Sequence, residues 1–288
     1  MIGSTFIIRS ERNITMGQQS DKLSETMKLL EEGVTAVFDS ENYKKFLSVM
    51  SRFHGYSVNN QILILMQMPT ATRVAGFNAW KMNFNRIVKK GAKGLKIFAP
   101  MTFRHTDDDG NEHIQTRFKV THCFDVSQTE GEPLPELVTE LTGTDESYQQ
   151  FIPVLQSIAP CPVSFTDELP DGVYGCYSLT DNSIKVKKSI APQHACKTLI
   201  HEICHSLLDA DKDNKTDRQT RECRAESVAF VVCNHFHIDS SDYSFPYIAG
   251  WSSGRDTKEL KAELTTIRDT AASLIDKIED QVHNFIPS

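Results

Sequence analysis

Apolar residues recur at helical spacing over much of the chain. Leu23, Met27, Leu30, Val34 and Phe38 fall three or four residues apart, which predicts a helix from Ser20 with Gly33 as its weak point. Residues 1–19 carry no such period and are expected to be irregular. A second helix is expected over Tyr43 to Phe53, with Phe46, Leu47 and Met50 inward, and Gly55 breaks it. Ser57 can cap a third helix, Val58 to Met68, which Pro69 ends. A short fourth helix is expected near Phe77–Phe84.

The period then changes. Leu95 to Arg104 reads as a strand, 107–111 as an acidic turn, and His113 to Phe124 as the returning strand. Residues 127–144 lack aromatics and carry two prolines, so the division between domains is placed there, as 1–130 and 131–288. Beyond it the pattern predicts a helix from Glu146 to Ile158, then strands at 163–165, 173–177 and 184–186. Helices at about 192–209, 219–237 and 257–283 follow. The expected fold class is α+β in two domains.

With 288 residues, 39% of them hydrophobic and 24% charged, the composition is that of a globular protein. No apolar run is long enough to span a bilayer, and the amino terminus is not a secretory signal, so no membrane partner is expected. Seven scattered cysteines, odd in number and without a CxxC pair, read as reduced thiols in a cytoplasm. Each is most simply a small buried hydrophobe.

Charge is unevenly placed. The net −7 conceals a block at 40–105 with seven Lys and four Arg against Glu41 alone, followed by an acidic block at 106–181. The basic block points to an anionic partner. Its cations alternate with rings and amides: Arg52, Tyr56, Asn60, Arg73, Trp80, Arg86, Lys89, Lys90, Lys93 and Lys96. Cations suit phosphates and flat rings suit unpaired bases, so single-stranded nucleic acid is the favoured ligand and these ten residues the candidate contacts. The competing reading makes the rings core and the lysines a solvated face; for Phe53, Phe77 and Trp80 the two readings weigh equally.

The chemistry is concentrated in His201-Glu202-Ile203-Cys204-His205. On a helix, positions i and i+4 share a face, so both imidazoles can reach one metal ion with Glu202 beside it as general base. Leu199, Ile200, Ile203, Leu207 and Leu208 would form the buried back of that helix. Downstream, Glu222 and Glu226 stand four apart on a second predicted helix, and one of them can complete a His₂Glu set. By resemblance to the gluzincin pattern Glu222 is the ligand and Glu226 the support for a ligand histidine, with the reverse assignment open. Zn²⁺ is the expected ion and Mn²⁺ the alternative. His194, Tyr243 and Tyr247 are candidates for oxyanion stabilisation, among other nearby His and Tyr residues. The expected reaction is peptide hydrolysis by water that the metal activates and Glu202 deprotonates.

Residues 56–100, from Tyr-Ser-Val-Asn-Asn-Gln through Gln67-Met-Pro69, Phe77-Asn-Ala-Trp80 and Val88-Lys-Lys-Gly-Ala-Lys-Gly to Pro100, resemble the amino-terminal single-stranded-DNA-binding domain of ArdC-type antirestriction proteins. Residues 198–251, from the HEICH helix through Ala225-Glu-Ser-Val-Ala-Phe to Tyr247-Ile-Ala-Gly-Trp251, are similar to that family's zincin-like metallopeptidase domain. The resemblance implies a mobile-element or phage protein that coats incoming DNA and protects it from host restriction. A host restriction or DNA-processing protein would be the peptidase substrate. The alternative is a DNA-coating protein whose metal is structural or vestigial; a metal-dependent nuclease ranks last, because the acid-rich cluster of a two-metal site is not evident.

Overall fold

The computed structural model describes residues 4–106, 112–134, 143–211 and 215–285, with side chains from residue 21. The acidic turn expected at 107–111 lies outside them. The chain divides into two compact units: residues 1–37 with 59–134, and residues 38–58 with 135–288.

In the first unit, α1 (Ser4–Val37) is helical from Ser4, not from Ser20. Its early residues lack an apolar stripe, and Arg, Glu, Met and Gln carry the helix by intrinsic preference instead. Gly33 is a contact point: a Cβ there would lie 2.5 Å from Ile62 Cγ2 and 2.9 Å from Met66 Cγ, on α3 (Val58–Gln67). Next come β1 (Val74–Gly76), α4 (Phe77–Phe84), β2 (Arg86–Val88), β3 (Leu95–Thr106), β4 (Glu112–Asp125) and β5 (Thr129–Gly131). The sheet order is β1-β4-β3, all antiparallel, and β2 pairs separately with β5.

The outer edge of β3 is closed by side chains of α3. Asn60 donates to the Phe98 carbonyl and accepts its N–H, both at 2.9 Å. Gln67 does the same one turn pair later, with Lys96 O at 2.9 Å and Lys96 N at 2.8 Å. Two amides thus take the place of a neighbouring strand along an edge that would otherwise invite pairing. Trp80 of α4 is 1% exposed and donates to the Phe124 carbonyl at 2.8 Å.

The second unit contains α2 (Ser40–Arg52), which a linear division at residue 130 leaves with the other half. Its buried face, including Tyr43, Phe46 and Met50, packs here. Tyr43 Oη lies 2.8 Å from Ser227 Oγ, and Lys44 donates to the Tyr243 carbonyl at 2.8 Å. The sheet of this unit is β6 (Val163–Thr166), β8 (Ser183–Lys187) and β7 (Gly175–Ser178), in that order, with β6 parallel and β7 antiparallel to β8. Helices α5 (Asp145–Ile158), α6 (Pro192–Leu208), α7 (Arg218–His235), α8 (Ile248–Ser252) and α9 (Thr257–Phe285) complete it. The back of α6 is Ala195, Cys196, Leu199, Ile200, Ile203 and Cys204, all buried. Leu207 and Leu208, expected there, are exposed and half-buried respectively, and Ser206 takes a buried place beside them. All seven cysteines are free thiols, and Cys204, inside HEICH, is core. No helix among the described residues is long and apolar enough to cross a membrane.

Candidate metal centre

α6 brings His201 and His205 to one face, their Nε2 atoms 3.1 Å apart. α7 begins at Asp217, whose carboxylate accepts the Thr220 N–H at 2.9 Å and so fixes the first turn. Glu222 follows one turn later and points back at α6. Its Oε2 lies 3.7 Å from His201 Nε2 and 3.5 Å from His205 Nε2. Three donors on a tetrahedral ion with bonds of 2.0–2.1 Å stand about 3.3–3.4 Å apart, so this triangle has the right size. His201, His205 and Glu222 are the one group of potential ligands that converges in this way among the described residues.

The tautomer follows from the next contact. His205 Nδ1 lies 2.7 Å from Asp209 Oδ2, and since a carboxylate only accepts, Nδ1 carries a proton and Nε2 is the atom that faces the triangle. Burial pulls the His205 imidazole down, but its bond to Asp209 and the proximity of Glu222 override that and raise it to about 9. The two imidazoles hold Glu222 well below the usual carboxylate range. A proton shared among these groups balances a surplus of carboxylate charge that a dication would neutralise.

Glu202 is buried beneath the edge strand β7. Gly175 makes this approach feasible: a Cβ there would lie 2.4 Å from Thr198 Cγ2 and 3.0 Å from Glu202 Cγ. Burial pushes the Glu202 carboxyl up, partly offset by the nearby imidazoles and by the Tyr177 N–H. Two cavities meet at this point, sharing Gly175, His201 and Glu202. One, of about 570 Å³, is walled by Tyr174, His194, Lys197, Glu226 and Tyr243. The other, of about 470 Å³, is walled by Tyr177, His205, Asp209, Arg221 and Glu222.

One expectation meets a different arrangement here. Glu226, expected to support a histidine, instead accepts a hydrogen bond from the Tyr247 hydroxyl. The carboxylate bonded to one of the two imidazoles is that of Asp209, on His205 Nδ1 at 2.7 Å, a residue the sequence reading missed although its place four residues after His205 put it on the same face. Of the oxyanion candidates, His194 and Tyr243 line the first cavity, and His194 stacks on Tyr174 at 4.4 Å. Tyr247 reaches the site through Glu226; burial and that carboxylate push its phenol far up.

The ten candidate DNA contacts separate. Arg52 and Tyr56 fall in the segment that belongs to the second unit. Asn60 and Trp80 are buried and bonded to backbone carbonyls, so neither can meet a base. Arg86 is turned onto Thr129 Oγ1 at 2.8 Å and the Gly131 carbonyl at 3.0 Å, closing β2 on β5. Lys96 pairs with Glu25 at 2.9 Å. Arg73 is half-buried, while Lys89, Lys90 and Lys93 stand exposed around Gly91, whose φ of 85° makes the turn. Exposed rings do occur in this unit, but they are Phe77 at 56%, Phe84 at 38%, Phe103 at 43% and Phe118 at 62%. Arg117 lies 5.5 Å over the Phe103 ring.

Comparison with known proteins agrees with this layout. Residues 20–131 match the family described as the N-terminal domain of anti-restriction factor ArdC. An uncharacterised Bacillus anthracis protein, pXO2-81, is 24% identical over 314 aligned positions, covering 93% of this chain and 53% of the relative. The chain thus spans about half the length of the curated relative it matches. The metal-free crystal structure of the antirestriction ArdC protein from R388 plasmid superposes with a TM-score of 0.53 at 18% identity. That alignment covers 78% of this chain and 86% of the other, and speaks for a shared fold. The Mn(II)-bound structure of the same protein gives 0.48 at 18% identity, covering 80% and 86%.

Proposed function

We propose, from the premise that residues 20–131 of this chain belong to the ArdC antirestriction family, that it is a single-stranded-DNA-binding protein carrying a divalent-metal peptidase centre of zincin type. One observation carries the reading: two imidazole nitrogens and a carboxylate oxygen, 3.1–3.7 Å apart, beside a buried glutamate. His201, His205 and Glu222 would hold the ion, and soft ligands are absent from the set, as suits Zn²⁺ or Mn²⁺. When bound, the ion supplies Lewis-acid activation of water and of a carbonyl. Glu202, its carboxyl raised by burial, accepts and returns a proton at its free oxygen. Gly175 and the Tyr177 N–H hold that carboxylate beside His201. Of the oxyanion candidates, His194 lines the first cavity and is the one this reading favours, while the Tyr243 hydroxyl is bonded to Cys233.

DNA binding is supported by the exposed Lys89, Lys90 and Lys93 on the first unit together with its exposed rings. Protection of incoming DNA from restriction, with a host protein as peptidase substrate, is the role this pairing fits. The experiment is hydrolysis of dye-labelled casein by metal-loaded protein. Glu202→Gln is expected to lower the rate at least about 100-fold while leaving the ion bound. Equal rates in both proteins would remove the peptidase assignment.

A further inference from the structure

α6 ends on an aspartate whose position works against it. Asp209 is the C-cap, its N–H bonded to the His205 carbonyl at 2.8 Å. There the helix dipole presents its negative end and disfavours a carboxylate. The residue is also 7% exposed, and a buried carboxylate is costly unless its oxygens are satisfied. Only one is. Oδ2 takes the His205 Nδ1 proton at 2.7 Å, whereas Oδ1 is buried without a hydrogen-bond partner. A charge that is unfavourable to its helix and half-satisfied in its pocket is held there through His205, so its effect lies in what it does to that ring.

We propose that Asp209 is the positioning residue of the metal centre: it locks the His205 ring with Nδ1 protonated and Nε2 directed at His201 and Glu222. The proposal deepens the metal-centre reading above and rests on it. A carboxylate hydrogen-bonded to a ligand histidine fixes the ring and raises its basicity, and its loss typically weakens metal binding 10–100-fold. The backbone bond from Asp209 to the His205 carbonyl sets the carboxylate beside the ring, which cannot turn without losing its bond to Oδ2.

The test uses the full-length protein, titrated with Zn²⁺ against a chelating dye, with ¹⁵N-histidine NMR of the His205 Nδ1–H in metal-free and loaded forms. Asp209→Ala is expected to weaken Zn²⁺ binding about 10–100-fold and to abolish the hydrogen-bonded Nδ1–H resonance. Asp209→Asn, which keeps the shape and loses the charge, should fall between the two, and carries the test if the alanine variant does not fold. Glu226→Gln should keep wild-type affinity, since Tyr247 holds that carboxylate. Wild-type affinity in folded Asp209 variants, an unmoved Nδ1–H resonance, or an equal loss in Glu226→Gln would overturn the assignment. If wild type takes up no Zn²⁺, the metal-centre reading fails, while the metal-free resonance still reports whether Asp209 holds His205.

Discussion

Asp209 and Glu226 illustrate what a motif does and does not reveal about individual residues. HEICH points to two candidate ligands and a candidate base because an i, i+4 pair on a helix shares one face. The downstream pair Glu222 and Glu226 has two assignments by spacing alone, and only the positions of α7 and Tyr247 separate them. Asp209 lay on the right face, but acids near helix ends are common and carry no signature. Protonation gives a further prediction at this scale. In the metal-free protein the raised His205 value means that folding favours the bound proton. That contribution to stability is complete below about pH 6.5 and is lost as the pH rises through about 9. The depressed Glu222 value acts at the other end, its contribution lost as the pH falls through the acid range. The Tm of chelator-treated protein is therefore expected to fall between pH 6.5 and 9, and Glu222→Gln should flatten the fall. A Tm that is level in wild type over that window would contradict the charge balance drawn here.

Elements were legible where their period was long. The helices α2 to α7 and α9, and the long pair β3 and β4, follow from apolar spacing. The strands β1, β2 and β5 have three residues each, too few for an alternation to register. Amides misled for a different reason. Asn60 and Gln67 look like ligand-binding polar residues, yet they close the β3 edge, a role fixed only by tertiary packing. Replacing either by alanine leaves strand groups unpaired and is expected to cost about 1–3 kcal/mol in urea unfolding. Trp80→Ala should cost about 3–5 kcal/mol, because its ring fills the core and its N–H is bonded. If instead these variants keep full stability and lose only DNA affinity, the edge-closing role is wrong.

At the level of the whole chain, the division placed at residue 130 came from the proline-bearing stretch 127–144, and nothing in the spacing gave the assignment of residues 38–58. Helix α2 is amphipathic like its neighbours, and which partner receives its apolar face depends on complementarity that spacing does not encode. The DNA-binding proposal is tested here by its salt dependence. Affinity for single-stranded DNA should fall linearly in log–log form, with a slope of about −0.7 per phosphate neutralised. Converting Lys89, Lys90 and Lys93 to glutamine together should reduce that slope by about 2. An unchanged slope would remove the exposed turn from the interface.

The central claim is that His201, His205 and Glu222 hold one divalent ion, and metal content measures it most directly. Elemental quantification of the purified full-length chain, after Zn²⁺ loading and desalting, is expected to give about one ion per chain, retained in Glu202→Gln and lost in His201→Ala and Glu222→Gln. Wild-type protein without stoichiometric metal, or His201→Ala that keeps it, would contradict the account.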